Sequence, residues 1–172
     1  MMRKITLTLI ASLLPQIGYC QTSSDSLHER VIFAIAHNDA AALTSRDYEE
    51  IQNKITRGDT EYISLYPELT QEPFLGAAAF QEGIDTALAL ALTVNTPATL
   101  KQVTPHNINI VCGMPFIEPT EKMIERYYTS AHAQLAGTGK SGAACLDILE
   151  GQMKDIKAAD KAGKMEWGED EY

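Results

Sequence analysis

Residue types that could do chemistry are sparse in this 172-residue chain, and the densest group is Gly137-Thr138-Gly139-Lys140-Ser141. Glycines followed by a lysine and a hydroxyl can cradle phosphate, as in the loop G-x-x-x-x-G-K-[ST]. The spacing fails here, because the first glycine would have to stand where the chain has Gln134. Such a loop also follows a strand, whereas helical periodicity precedes this one. The expected reading is a glycine loop in which Ser141 caps the next helix. His28, His37, His106 and His132 are scattered and pair with no other ligand at zinc-like spacing, so no metal and no cofactor is expected. No G-x-S-x-G elbow occurs. Glu49-Glu50 and Glu118 with Glu121 are acidic pairs of the kind ordinary on solvated helix faces. A paired-carboxylate hydrolase stays open as a third reading, because the separation of two carboxylates is set in three dimensions. The expectation is a protein that is not an enzyme.

Two cysteines carry more information than any of these groups. The chain opens Met1-Met2-Arg3-Lys4, continues with the apolar run Ile5 to Leu14, and then reaches Pro15 and Gly18. That is the layout of a secretory signal peptide over residues 1–20. The apolar run is too short to span a bilayer, which takes about 20 residues. Small residues at Gly18 and Cys20 favour cleavage before Gln21, with a periplasmic product. The alternative is a lipoprotein anchored through Cys20, against which Tyr19 stands as the preceding residue. In an oxidising compartment the two remaining cysteines, Cys112 and Cys145, are expected to form a disulfide. Either Cys112 extends back along the neighbouring helix, or the two helices cross steeply.

Without the signal the chain holds 12 basic and 23 acidic residues, a net charge of −11. Such a charge repels phosphate backbones and anionic lipid heads, so nucleic acid is excluded as a partner, as is a membrane unless Cys20 is lipidated. It suits solubility, and it suits a basic partner.

The elements that must hold these residues are helices. Leu27, Val31 and Ile35, with Phe33 and Ala34, recur at helical spacing over Ser26–Leu43. Thr44-Ser45-Arg46-Asp47 predicts a capping box opening a helix whose apolar side is Tyr48, Ile51 and Ile55. Gly58 suits a helix end and Asp59 the cap of a third segment, which carries Tyr62, Ile63 and Tyr66 and stops at Pro67. Phe74–Val94, rich in alanine and leucine, predicts a helix in the middle of a bundle, with a bend or break at Gly83. Asn95-Thr96-Pro97 ends it. His106–Val111 reads as a short strand or extended connector. Pro119 fits the first position of a helix carrying Met123, Ile124, Tyr127, Ala131 and Leu135. The last helix carries Cys145, Leu146, Leu149, Met153 and Ile156. The expected architecture is all-α: a single helical bundle of about five to six helices over residues 21–156 with one disulfide. Residues 157–172 are read as a frayed helix followed by a mobile acidic tail.

Four groups of residues in the second half resemble a known family. Phe80-Gln81-Glu82-Gly83-Ile84-Asp85 sits on a helix, and Ile110-Val111-Cys112-Gly113-Met114-Pro115 follows. Glu118-Pro119-Thr120 then opens a helix with Tyr127 and Tyr128, and Ser141-Gly142-Ala143-Ala144-Cys145-Leu146 closes the pattern. Over roughly residues 74–150 this resembles the small exported immunity proteins that guard bacteria against type VI secretion effectors, notably cell-wall amidases. The resemblance implies a non-catalytic periplasmic helical protein that binds and blocks a secreted peptidoglycan hydrolase. Its partner would be a basic or cleft-bearing effector protein, and self-association into a homodimer is left open. Loops on a rigid scaffold commonly carry recognition. The expected contact residues are therefore Met114, Pro115, Phe116 and Glu118 in one loop, and Thr138 and Lys140 in the other. The alternative function is a small acidic periplasmic chaperone or stress protein built on the same helices.

Overall fold

A computed structural model describes residues 23–169, and among them there are nine α-helices and no strand. The signal-peptide reading and the last three residues, 170–172, lie outside the described residues.

Helix α1 (Ser23–His37) buries Leu27, Val31 and Ala34, which share one face at helical spacing. It ends where Asn38 takes φ 52°, and the Asn38 and Asp39 amides return to the carbonyls of Ile35 and Ala34. Helix α2 (Ser45–Thr56) opens with the expected box: Thr44 Oγ1 accepts from the Asp47 amide at 3.2 Å, and the Asp47 carboxylate accepts from the Thr44 amide at 2.9 Å. The Arg30 guanidinium of α1 closes on the same carboxylate, so this cap also joins two helices. Gly58, at φ 79°, ends α2, and its Cα lies against the Val94 side chain. Asp59 then caps α3 (Thr60–Ser64). Pro67 does not stop this region: it stands in the first turn of α4 (Tyr66–Leu69), where its missing N–H costs nothing.

Helix α5 (Ala78–Ala91) is the centre, with Ile84, Leu88, Ala89 and Ala91 all fully buried. It runs unbroken through Gly83, contrary to the break expected there. The glycine instead marks a close approach to α2: a methyl group on Gly83 would collide with the Gln52 side-chain amide, which donates to the Phe80 carbonyl at 3.4 Å. Tyr48 and Phe80 pack beside this point with their rings tilted and centroids 4.5 Å apart. Asn95 caps α6 (Thr96–Leu100), so Asn95-Thr96-Pro97 starts a helix as well as ending one.

Segment 106–111 is not a strand or connector. Ile108–Val111 forms a helical turn, α7. Its β-branched residues are overruled locally, because Asn107 Oδ1 accepts from both the amide and the hydroxyl of Thr104 and fixes a turn before them. Cys112 follows and is disulfide-bonded to Cys145 in the first turns of α9 (Ala143–Lys161), with Cα atoms 4.9 Å apart. Between them lies α8 (Glu121–Ala136), packed on α9. Pro119 does not take the first helical position expected of it: it stands outside the helix, before the cap Thr120, which accepts from the Met123 amide at 3.2 Å. Ser141 does not cap α9, because its hydroxyl donates to the Thr138 carbonyl and Gly142 stands at the cap. Tyr127 ties α8 to the core by donating to the Ala89 carbonyl of α5 at 3.2 Å. Burial at that position pushes its phenol pKa up.

Asp47 links this fold to pH. Burial raises the carboxyl's pKa, but hydrogen bonds from Arg30 and from the Thr44 amide and hydroxyl outweigh it and bring it from 3.8 down to about 2. A carboxyl with a lowered folded pKa stabilises fully above its unfolded value, and the contribution disappears as pH falls from about 4 towards 2. Allowing for screening at the half-exposed guanidinium, Asp47→Asn should cost on the order of 1–2 kcal/mol at pH 7. Urea unfolding should show that difference shrinking towards zero near pH 2. Replacing Cys112 and Cys145 together with Ala opens a loop with a sequence separation of 33. It should cost about 3–4 kcal/mol by the chain-entropy argument, read as a lowered urea midpoint.

Candidate functional site

A helix that begins beside its neighbour's end must send the chain back along that neighbour. Helices α8 and α9 run antiparallel, so α8 starts far from Cys145. The segment between Cys112 and Thr120 resolves this by travelling along α9, the first of the two arrangements left open by the sequence. Gly113 allows it: a Cβ there would stand 2.5 Å from the Asn109 carbonyl and 2.6 Å from the Gln152 amide nitrogen. Gln152, on α9, accepts from the Met114 amide at 2.7 Å. Phe116 turns inward and meets Tyr127 edge-on, with centroids 5.4 Å apart. The next side chain, Ile117, is 87% exposed. Glu118 takes φ 49°, a left-handed conformation that non-glycine residues seldom adopt.

The strap 113–120 forms one wall of a groove of about 850 Å³. Phe116, Glu118 and Thr120 line that wall, Leu90 and Thr93 at the end of α5 line another, and Lys122, Met123, Arg126 and Tyr127 on α8 form the floor. Met123 is 44% exposed and Val94, beside Thr93, is 60% exposed, so apolar surface continues past the groove. Of the contact residues expected from sequence, Phe116 and Glu118 meet at this groove, and Met114 is half-buried behind them. Thr138 and Lys140 do not join them. They sit in the turn at the far end of α8, a helix of 16 residues spanning about 24 Å. There Thr138 spends its hydroxyl on the Leu135 carbonyl at 2.6 Å.

Lys122, Met123 and Arg126 are residues that sequence reasoning missed. A signal existed: Lys122 and Arg126 are four apart, so they share a face that the buried stripe Ile124, Tyr127, Ala131 and Leu135 does not use.

Elsewhere the polar groups hold the fold together. A cleft of about 440 Å³ lies between α4, α5 and α7. In it Tyr66 donates to Asp85 at 2.6 Å, Gln81 to the Leu69 carbonyl at 3.0 Å, and Asn107 to the Gln102 carbonyl at 3.0 Å. Burial, and then the Asp85 carboxylate, push the Tyr66 phenol pKa up. His132 pairs with Glu150 at 2.9 Å, and His37 stacks on Phe33 with centroids 4.0 Å apart. Among the described residues no three His, Cys, Asp or Glu side chains come together as a metal site. No described helix is long and apolar enough to cross a membrane. No family model, curated protein or solved structure matches this chain.

The strap depends on Gln152. Gln152→Ala should cost about 1 kcal/mol and speed amide hydrogen exchange at Met114 about tenfold, while exchange in α5 stays unchanged at matched stability.

Proposed function

We propose that this protein is a periplasmic immunity protein that binds and inhibits a secreted antibacterial effector, a peptidoglycan hydrolase. The observation that carries the reading is the strap beside the groove. It is braced by a disulfide at its root and by Gln152 along its length, and it holds Ile117 at 87% exposure. An apolar side chain held out on a rigid loop is suited to enter a cleft, because the ordering cost of binding is already met in the free protein. The disulfide is compatible with an exported protein. The acidic surface supports the same reading, since the charge of −9 over the whole chain would speed encounter with a basic enzyme. The loose resemblance of residues 74–150 to exported immunity proteins names the class of partner.

A strain lacking this protein should lyse beside a neighbour that delivers the cognate effector, and the purified protein should block that hydrolase on cell-wall substrate. Affinity should fall as salt rises. Ile117→Glu should weaken the complex at least tenfold, about 1.4 kcal/mol, without lowering the unfolding temperature. Normal survival of the deletion strain, with no hydrolase inhibited by the purified protein, refutes the proposal.

A further inference from the structure

The cleft between α4, α5 and α7 offers hydrogen-bond acceptors and few donors, because its amides and hydroxyls turn their hydrogens towards the protein. Gln81 Nε2 donates to the Leu69 and Phe74 carbonyls at 3.0 and 3.3 Å, and Gln71 Nε2 donates to the Pro67 carbonyl at 2.8 Å. A carbonyl oxygen only accepts, so each amide is fixed with its nitrogen on the backbone and its own oxygen left over. The Thr70 hydroxyl donates to the Tyr66 carbonyl at 3.1 Å, and the Thr104 hydroxyl to Asn107 Oδ1 at 3.1 Å. The Tyr66 phenol is spent on Asp85 Oδ1 at 2.6 Å. The second carboxylate oxygen, Asp85 Oδ2, has neither a hydrogen bond nor an ion pair among the described residues, although Asp85 is half-buried. A sheltered charge without a donor is costly, and a ligand that supplies the donor recovers that cost. Gln81 and Asp85 are four apart on α5, so their oxygens share one face. Gln102 lines the same cleft, and its side-chain amide makes no hydrogen bond among the described residues. No lysine or arginine lines the cleft, and its one basic side chain is the exposed His106. Apolar surface adjoins these acceptors: Ile110, 49% exposed, and the exposed Pro67 both line the cleft.

We propose that this cleft is a binding site for a primary alkylammonium group. Asp85 Oδ2 and the side-chain oxygens of Gln81 and Gln102 hold the head, and the methylene stem lies on Ile110 and Pro67. An ammonium has three N–H donors and no acceptor, which complements a site that has kept its acceptors and used its donors. A charged head among acceptors with its stem along apolar surface is the ordinary division of such an amphipathic group. The volume of about 440 Å³ admits a stem as long as that of a lysine side chain. The charge of −9 over the whole chain raises the local concentration of cations. The same chemistry is carried by a free amine and by a lysine of a polypeptide. This inference does not rest on the proposed inhibitor role, and its test needs no effector.

The test titrates the full chain with butylammonium, with butyltrimethylammonium, and with the peptide Gly-Lys-Gly blocked at both ends, and follows amide NMR signals. Butylammonium should bind with a Kd of about 1 mM or tighter and move the signals of residues 81–85 and 102–110, leaving those of 122–130 in place. Butyltrimethylammonium keeps the stem and the charge but has no N–H, so it should bind at least tenfold more weakly. Binding of the peptide at least tenfold tighter than the amine assigns the site to a polypeptide lysine; equal or weaker binding assigns it to a free amine. Asp85→Asn keeps an oxygen for the Tyr66 phenol, so the circular dichroism and urea midpoint should hold while binding falls at least tenfold. Gln102→Leu, at a side chain the fold does not use for a hydrogen bond, should weaken binding about threefold or more. The absence of a saturable shift in the wild-type chain overturns the proposal, as does equal binding of the trimethylated ion. Undiminished binding by Asp85→Asn, or shifts spread over the whole acidic surface, also overturns it.

Discussion

The bridge from Cys112 to Cys145 fixes where α7 ends against where α9 begins, and the C-terminal half follows from that one covalent constraint. Helix α8 lies antiparallel to α9, so its first residue belongs near the far end of α9. A chain pinned at Cys112 must therefore cross almost the length of α9 before α8 can start. Eight residues suffice only if they are extended and closely applied, which is why Gly113 sits where no side chain fits and why Gln152 holds the Met114 amide. The strap, and with it the exposed Ile117 and the groove wall, is the geometrical consequence of a disulfide placed at one end of an antiparallel helix pair.

The N-terminal half is organised by packing and one polar junction. Alanines on α5 and the missing side chain at Gly83 let α2 approach closely, and that pair forms the most extensive helix contact in the fold. Helix α1 is then locked on by a single carboxylate, Asp47, which serves the cap of its own helix and the Arg30 guanidinium at once. Sharing one buried acceptor between a local and a long-range donor makes the junction specific. It also makes it sensitive to acid, because protonation weakens both interactions together.

Features governed by near neighbours were legible in the sequence, and those governed by distant ones were not. The Thr44–Asp47 box and the Gly58-Asp59 boundary are contests between residues three apart, so their outcome is local. The buried stripes of α8 and α9 follow from periodicity. Gly83 was misread because its partner, Gln52, lies 31 positions earlier, and only the folded chain shows a close approach where the sequence shows a helix breaker. The segment 108–111 was misread because β-branched side chains suggest a strand, while the deciding bonds come from Thr104 and Asn107 just upstream. Phe116 and Glu118 could be picked out as loop residues, but the groove could not. Its walls come from α5, α8 and the strap, and nothing in the spacing of Leu90, Phe116 and Arg126 announces that they converge.

Rigidity at the strap and exposure at its tip are two aspects of the same design problem. An exposed isoleucine on a mobile loop would collapse onto the nearest apolar surface, which here is the groove holding Phe116 and Met123. Two features oppose that collapse. Phe116 already fills the inward position against Tyr127, and the left-handed Glu118 turns the backbone so that its neighbour Ile117 faces water. Such a conformation costs roughly 1 kcal/mol or more and persists only where its surroundings hold it. Here the surroundings are Thr120, which caps α8 immediately after, and Gly168, which hydrogen-bonds to Pro119 from below. The segment 164–168 therefore does more than end the last helix: it braces the outward turn of Ile117 and sets Glu169 at the groove, so the same few residues control both the tip and the cleft beside it.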